Sequence, residues 1–173
     1  PQGWTMLHSI SGRLDDRKAE FLAMVLEESG PQPLRWLVLA QRERSIREFQ
    51  TVIVSPHACR QHLGNGRGDP LQGLSLPYKH PRPGIFGLAH HATRDYRHAG
   101  TDLWFQYDPV SKDWRLSEGR HYRFDLDDPD LKPTWSSVIP GISLAEFDID
   151  DVQFEFETQP SVDRPMTEIT AIR

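Results

Sequence analysis

The 173-residue chain has a single cysteine, and that residue is the first candidate for chemistry. Ser55-Pro56 has the sequence of a helix N-cap and first helical position, which predicts a short helix from Pro56 to about Leu63. Cys59 would then lie in the first turn, where free N–H groups and the helix dipole favour a thiolate. A thiol nucleophile also needs an imidazole to take up its proton and a carboxylate or amide to hold that imidazole. His91 supplies the first, and Asp108, at the end of a predicted strand Leu103 to Tyr107, supplies the second.

The order cysteine, histidine, acid resembles that of papain-like hydrolases, in which the histidine and its acid partner occupy neighbouring strands. That resemblance implies a hydrolytic set of Cys59, His91 and Asp108. The histidines suggest a second chemistry, because five of the eight fall between His57 and His91, with His98 just beyond. Neutral imidazoles and carboxylates are zinc ligands, so His90, His98 and Asp95 form a candidate site for a metal-dependent hydrolase or nuclease, with Asp69 and Asp102 as further oxygen donors. None of the established zinc spacings is present, and His90 and His91 would point to opposite faces of a strand.

Basic and aromatic residues interleave through Lys79, Arg82, Phe86, Arg94, Tyr96 and Arg97, and Gly64-Asn65-Gly66-Arg67-Gly68 adds a guanidinium among flexible backbone N–H groups. Arg67, Lys79, Arg82, Arg94, Tyr96 and Arg97 are therefore candidate binding residues, for a protein surface or for phosphates. The net charge of -5 argues against general nucleic-acid binding. It hides an asymmetry: residues 1–100 carry 13 basic and 9 acidic side chains, whereas residues 101–173 carry 7 and 16. A basic front and an acidic back suit association with partners of opposite charge. The acidic clusters Asp125 to Asp130 and Asp148 to Asp151 lack the glycine and terminal glutamate of a calcium-binding hand loop.

Met6 to Lys18 looks somewhat like the GoLoco peptide that binds inhibitory G-protein α subunits, whose core reads Asp-Asp-Gln-Arg. Here Asp15-Asp16 are followed by Arg17 and Lys18. The resemblance implies an α-subunit contact through this segment.

These residues must be positioned by regular elements. Ser11 as a cap, Asp15 and Asp16 in the first turn, and Leu14, Phe21, Leu22, Val25 and Leu26 at helical spacing predict an N-terminal amphipathic helix ended by Gly30-Pro31. Leu34 to Ala40 and Glu48 to Val54 read as a strand hairpin around Arg42-Glu43-Arg44. Glycines and prolines between about residues 64 and 87 predict a long loop. Leu103 to Tyr107, Trp114 to Leu116 and Tyr122 to Leu126 predict a small meander, with a turn at Asp108 to Asp113. Ser143 to Phe147 reads as a helical turn and Val152 to Thr158 as a strand.

The expected fold is thus α+β: an N-terminal helix on a mainly antiparallel sheet, one domain over residues 1–160, and an extended tail over 161–173. No run approaches the roughly 18 apolar residues of a membrane helix, and one cysteine fits a reducing compartment, so a soluble, cytoplasmic protein is expected. The function expected is a protein-binding or assembly module, a subunit or inhibitor-like domain using the central loop and the acidic half, with another protein as partner. The alternatives are the thiol hydrolase and the zinc-dependent hydrolase above.

Overall fold

A computed structural model describes residues 3–15, 19–31, 33–43, 45–59, 71–77, 82–94, 97–125, 134–138, 141–149 and 154–155. Its elements are all strands: β1 (Trp4–Arg13), β2 (Ala19–Glu28), β3 (Arg35–Glu43), β4 (Gln50–Ser55), β5 (Leu71–Ser75), β6 (Ile85–Arg94), β7 (Arg97–Asp108), β8 (Asp113–Asp125), β9 (Thr134–Val138) and β10 (Phe154–Glu155). They form two antiparallel meanders, sheet A in the order β1-β2-β3-β4 and sheet B in the order β10-β9-β8-β7-β6-β5. The expected α+β fold is therefore corrected to all-β, with no helix among the described residues.

The N-terminal helix is replaced by the β1–β2 hairpin. Phe21, Ala23 and Val25 point inward and are buried, while Leu22, Met24 and Leu26 occupy the opposite face and are half-buried. A strand apolar on both faces satisfies helical spacing as well as alternation, and here the packing of one sheet on the other decides between them. Asp15, expected in a helix's first turn, instead accepts the Ala19 N–H at 3.1 Å across the hairpin turn. The segment resembling the GoLoco peptide is thus mainly an edge strand.

The long loop is also corrected. Leu71 to Ser75 is the edge strand of sheet B, and Gly87 lies within β6. Other elements stand as expected: β3 pairs with β4 as a hairpin, and β7 pairs with β8 around a turn over residues 109–112. Of the predicted helix beginning at Pro56, residues 56–59 are irregular. The predicted tail, 161–173, lies outside the described residues.

The sheets pack face to face through aromatic side chains. Phe21 of sheet A meets Trp114 edge-on at 5.0 Å and Phe86 at 6.2 Å, and both belong to sheet B. Phe86 stacks on its cross-strand partner Phe105 at 5.4 Å, and Phe147 closes on Phe105 at 5.2 Å. Leu37, Leu39, Leu88, Leu103, Leu116 and Leu144 fill the space around them. Aromatic pairs at these separations add about 0.5–1.5 kcal/mol each beyond the area they bury.

Gly84 fastens one end of this core. Its N–H donates to the Arg13 carbonyl at the end of β1 (2.6 Å), and its carbonyl accepts from Tyr107 N–H in β7 (2.8 Å). The backbone there has φ +68°, and a Cβ would lie 2.9 Å from the Leu14 carbonyl oxygen. Gly84→Ala is expected to cost about 2 kcal/mol or more, since left-handed strain and a clash with backbone act together. Gly3→Ala, at φ +89° but with nothing within 4 Å, carries strain alone and serves as the control. Urea denaturation of both variants checks this; equal losses would show that Gly84 is not the fastening point.

Candidate functional site

Cys59 follows β4 in an irregular segment and is buried beside Ala58 in the common core. The segment is tied down by the Ile149 N–H, which donates to the His57 carbonyl, and by His57 Nδ1, 3.8 Å from Asp148 Oδ2. Burial pushes the thiol up to about 12, against a smaller pull downward from the Arg35 charge. That direction is opposite to the one a nucleophile requires. Arg35 is itself enclosed, and its Nε meets Glu27 Oε2 at 2.7 Å across the β2–β3 pair. Sequence reasoning missed this ion pair, because only the strand register brings the two residues together.

His91 and Asp108 stand far apart. His91 is opposite Gly100 on β7, and Asp108 is eight residues further along that strand, about 27 Å at the usual rise. The Asp108 carboxylate accepts the Val110 N–H at 2.9 Å and the Ser111 hydroxyl at 2.7 Å, and these bonds lower its pKa. It shapes the β7–β8 turn.

Of the metal candidates, His90 is placed in full and His98 through its backbone alone. His90 is buried on the inner face of β6, opposite Thr101, and His91 is half-buried on the outer face. The His98 backbone pairs with Thr93 near the β6–β7 turn, and Asp95 lies outside the described residues. Among the described residues no group of three or more His, Cys, Asp or Glu is placed to hold an ion. Of the candidate binding residues, Arg82 is exposed just before β6, and Arg94 and Arg97 pair through their backbones at the β6–β7 turn. Arg67, Lys79 and Tyr96 lie outside the described residues.

Two surface features that sequence reasoning did not single out emerge from the registers. The first is the outward face of sheet A. Leu22 pairs with Ala40, Met24 with Val38 and Leu26 with Trp36, and these rows extend to Met6 on β1 and Val54 on β4. Trp4 packs on Trp36 at 4.5 Å. Met6, Val52 and Val54 are 56%, 47% and 43% exposed, so the apolar face reaches solvent at both edges.

The second is the outward face of sheet B. Ala89, Asp102 and Arg120 form one row across β6, β7 and β8, and Gly87, Trp104 and Glu118 form the next. Arg120 pairs with Glu118 at 2.6 Å. Burial raises the Asp102 pKa, while the charges of Arg120 and His91 oppose that rise. The signal for this group was present as alternation: Asp102 and Trp104 share a face, as do Glu118 and Arg120.

No family model, curated protein or solved structure matches the chain. Among the described residues, no helix is long and apolar enough to cross a membrane.

The enclosed thiol leads to a direct expectation. Cys59 should resist alkylation in the native protein at pH 8 and react at the rate of a free thiol once urea unfolds it. Since the folded pKa is raised, this group stabilises the fold fully below the ordinary thiol value of 9.0 and loses that contribution as pH rises toward about 12. The urea midpoint should accordingly fall across that range. Rapid native alkylation at pH 8 would place the thiol at the surface instead.

Proposed function

We propose that this chain is a protein-binding or assembly module, and that it associates with a second copy of itself through the outward face of sheet A. The observation that carries the reading is that β2 and β3 are apolar on both faces. An antiparallel sheet with one face on the core ordinarily presents polar residues on the other. Here Leu22, Met24, Leu26 and Trp36, half-buried, flank Val38 and Ala40, which are buried, where polar residues would serve a solvated face.

Charge at the two ends of this face supports a second copy as the occupant. One end carries the row Arg13, Glu20 and Arg42, with a balance of +1. The other carries exposed Glu28 beside Trp4. A twofold axis lying between the two sheets, parallel to their planes and perpendicular to the strands, sets the basic end of one copy against the acidic end of the other, as a self-complementary interface requires. Four strands spaced about 4.8 Å apart and about 25 Å long present roughly 500 Å2 per copy. The total, about 1,000 Å2, is at the lower limit of specific interfaces and points to a concentration-dependent dimer.

The thiol-hydrolase alternative draws no support from a buried cysteine with a pKa near 12. Sedimentation equilibrium from a few micromolar to several hundred micromolar tests the proposal. A monomer–dimer equilibrium is expected, weakened at least tenfold by Met6→Glu or Val54→Lys. Both side chains are substantially exposed, so the fold should keep its melting temperature within a few degrees. A chain that stays monomeric throughout would reject self-association.

A further inference from the structure

The outward face of sheet B differs in kind from that of sheet A. Its centre is one large aromatic, Trp104, surrounded by side chains that donate and accept hydrogen bonds. The indole is half-buried and lies over the β6 backbone at Gly87, where a Cβ would come within 2.8 Å of Cζ3 and 3.0 Å of Cε3. Any other residue at position 87 would displace the ring.

The backbone beneath the indole is also specified. The β7–β8 register shifts between Trp104 and Phe105, leaving Ser117 as the extra residue of a bulge. The Ser117 hydroxyl donates to the Trp104 carbonyl at 2.9 Å. Bulges often re-aim a side chain beside a functional site, and this one fixes where the indole leaves the sheet. An aromatic held in this way loses little freedom when a ligand stacks on it.

Around the indole stand Glu118 directly across the strand pair and Asp102 and Arg120 in the adjacent row, with His91 one row further on, beyond Asp102. Arg120 donates to Glu118 through both Nε (2.7 Å) and Nη2 (2.6 Å), which fixes both groups on this face. The two carboxylates and the one guanidinium closest to the indole sum to −1. Phosphate and nucleic-acid ligands need the opposite balance. Protein interface cores, for their part, are depleted in charged residues.

A ligand that suits an aromatic surface ringed by acceptors and a donor has an apolar face and a rim of hydroxyls, and carries no charge. We propose that the outward face of sheet B binds a neutral sugar ring, its C–H face stacked on Trp104 and its hydroxyls bonded to Asp102, Glu118 and Arg120. This site is separate from the apolar face of sheet A, and either can fail without the other.

The test is an NMR titration of indole N–H resonances in the full chain, with Trp104 assigned from Trp104→Phe. The probes are methyl glycosides of glucose, galactose, mannose, xylose and N-acetylglucosamine to about 50 mM, and their hexasaccharides to about 2 mM. The expected result is a saturable shift of the Trp104 signal for at least one sugar, with the hexasaccharide binding at least tenfold more tightly than the monosaccharide. Binding to the variants is read from saturation transfer to the sugar protons, which does not need the Trp104 signal: Trp104→Ala should abolish binding, Asp102→Asn should weaken it tenfold or more, and Trp104→Phe should retain part of it. Melting curves confirm that the variants are folded; if Trp104→Ala is not, Asp102→Asn and Trp104→Phe decide. Absence of a saturable shift for every sugar overturns the proposal, as does binding unchanged in the folded variants. A shift produced instead by a ten-nucleotide oligo-dT would assign the indole to base stacking and equally overturn it.

Discussion

The architecture depends on the seating of Phe21 from sheet A against the Phe86–Trp114 pair of sheet B. Side chains alternate along a strand with a period of two, so seating Phe21 in the core determines the orientation of every other residue of β2. Ala23 and Val25 follow it inward, and Leu22, Met24 and Leu26 are turned outward. Pairing then carries the same division to β3, where Leu37 and Leu39 enter the core and Trp36, Val38 and Ala40 join the outward face. Sheet B obeys the same constraint, since Leu103 and Phe105 are held inside and Asp102 and Trp104 must face out. Both surface features are consequences of how the core is closed.

Where local chemistry dominates, the sequence was readable. The β7–β8 turn is dictated by Asp108, whose carboxylate satisfies Val110 and Ser111, and by Lys112 at φ 56°. The β3–β4 hairpin follows from β-branched and aliphatic runs around a charged turn. The N-terminal hairpin was not readable, because Phe21, Leu22, Val25 and Leu26 fit a helix as well as a strand; only a second sheet to bury Phe21 against distinguishes them. The glycines between 64 and 87 misled for a different reason. In the sequence they have the look of chain breakers, yet Gly73 and Gly87 allow close approach within strands, the first to His8 across the β1–β5 seam and the second to Trp104.

The site residues show the same division. Cys59 was placed at a helix N-terminus by Ser55-Pro56, a local signal, but its environment is set by distant residues. Its segment is anchored to Ile149, and Arg35 approaches it from β3. Arg35 in turn requires Glu27, because an unpaired guanidinium at that depth would be strongly destabilising. Nothing in the spacing of residues 27, 35 and 59 announces this arrangement. For Asp102, Arg120 and Glu118 alternation shows which residues share a face within each strand, but a bulge and a strand register are needed to bring the two strands' sets together around Trp104.

The contrast between the two outward faces bears on how they could work together. Two packed antiparallel sheets bury their inner faces and ordinarily leave two wet outer ones. Here sheet A presents aliphatic and indole side chains with charge only at its ends, whereas sheet B surrounds one indole with paired charges. The first is suited to another apolar surface, which releases water without having to satisfy polar groups. The second would leave its carboxylates and guanidinium unsatisfied against such a surface and needs a ligand with hydroxyls of its own. Because the core separates the faces, covering sheet A with a second copy would leave sheet B open on each copy, pointing away from the shared interface. Paired sites on one assembly then strengthen attachment to a repeating ligand through effective concentration, without any new contact. With both faces occupied as proposed, a weak interface and a weak ligand site would suffice together where neither would alone.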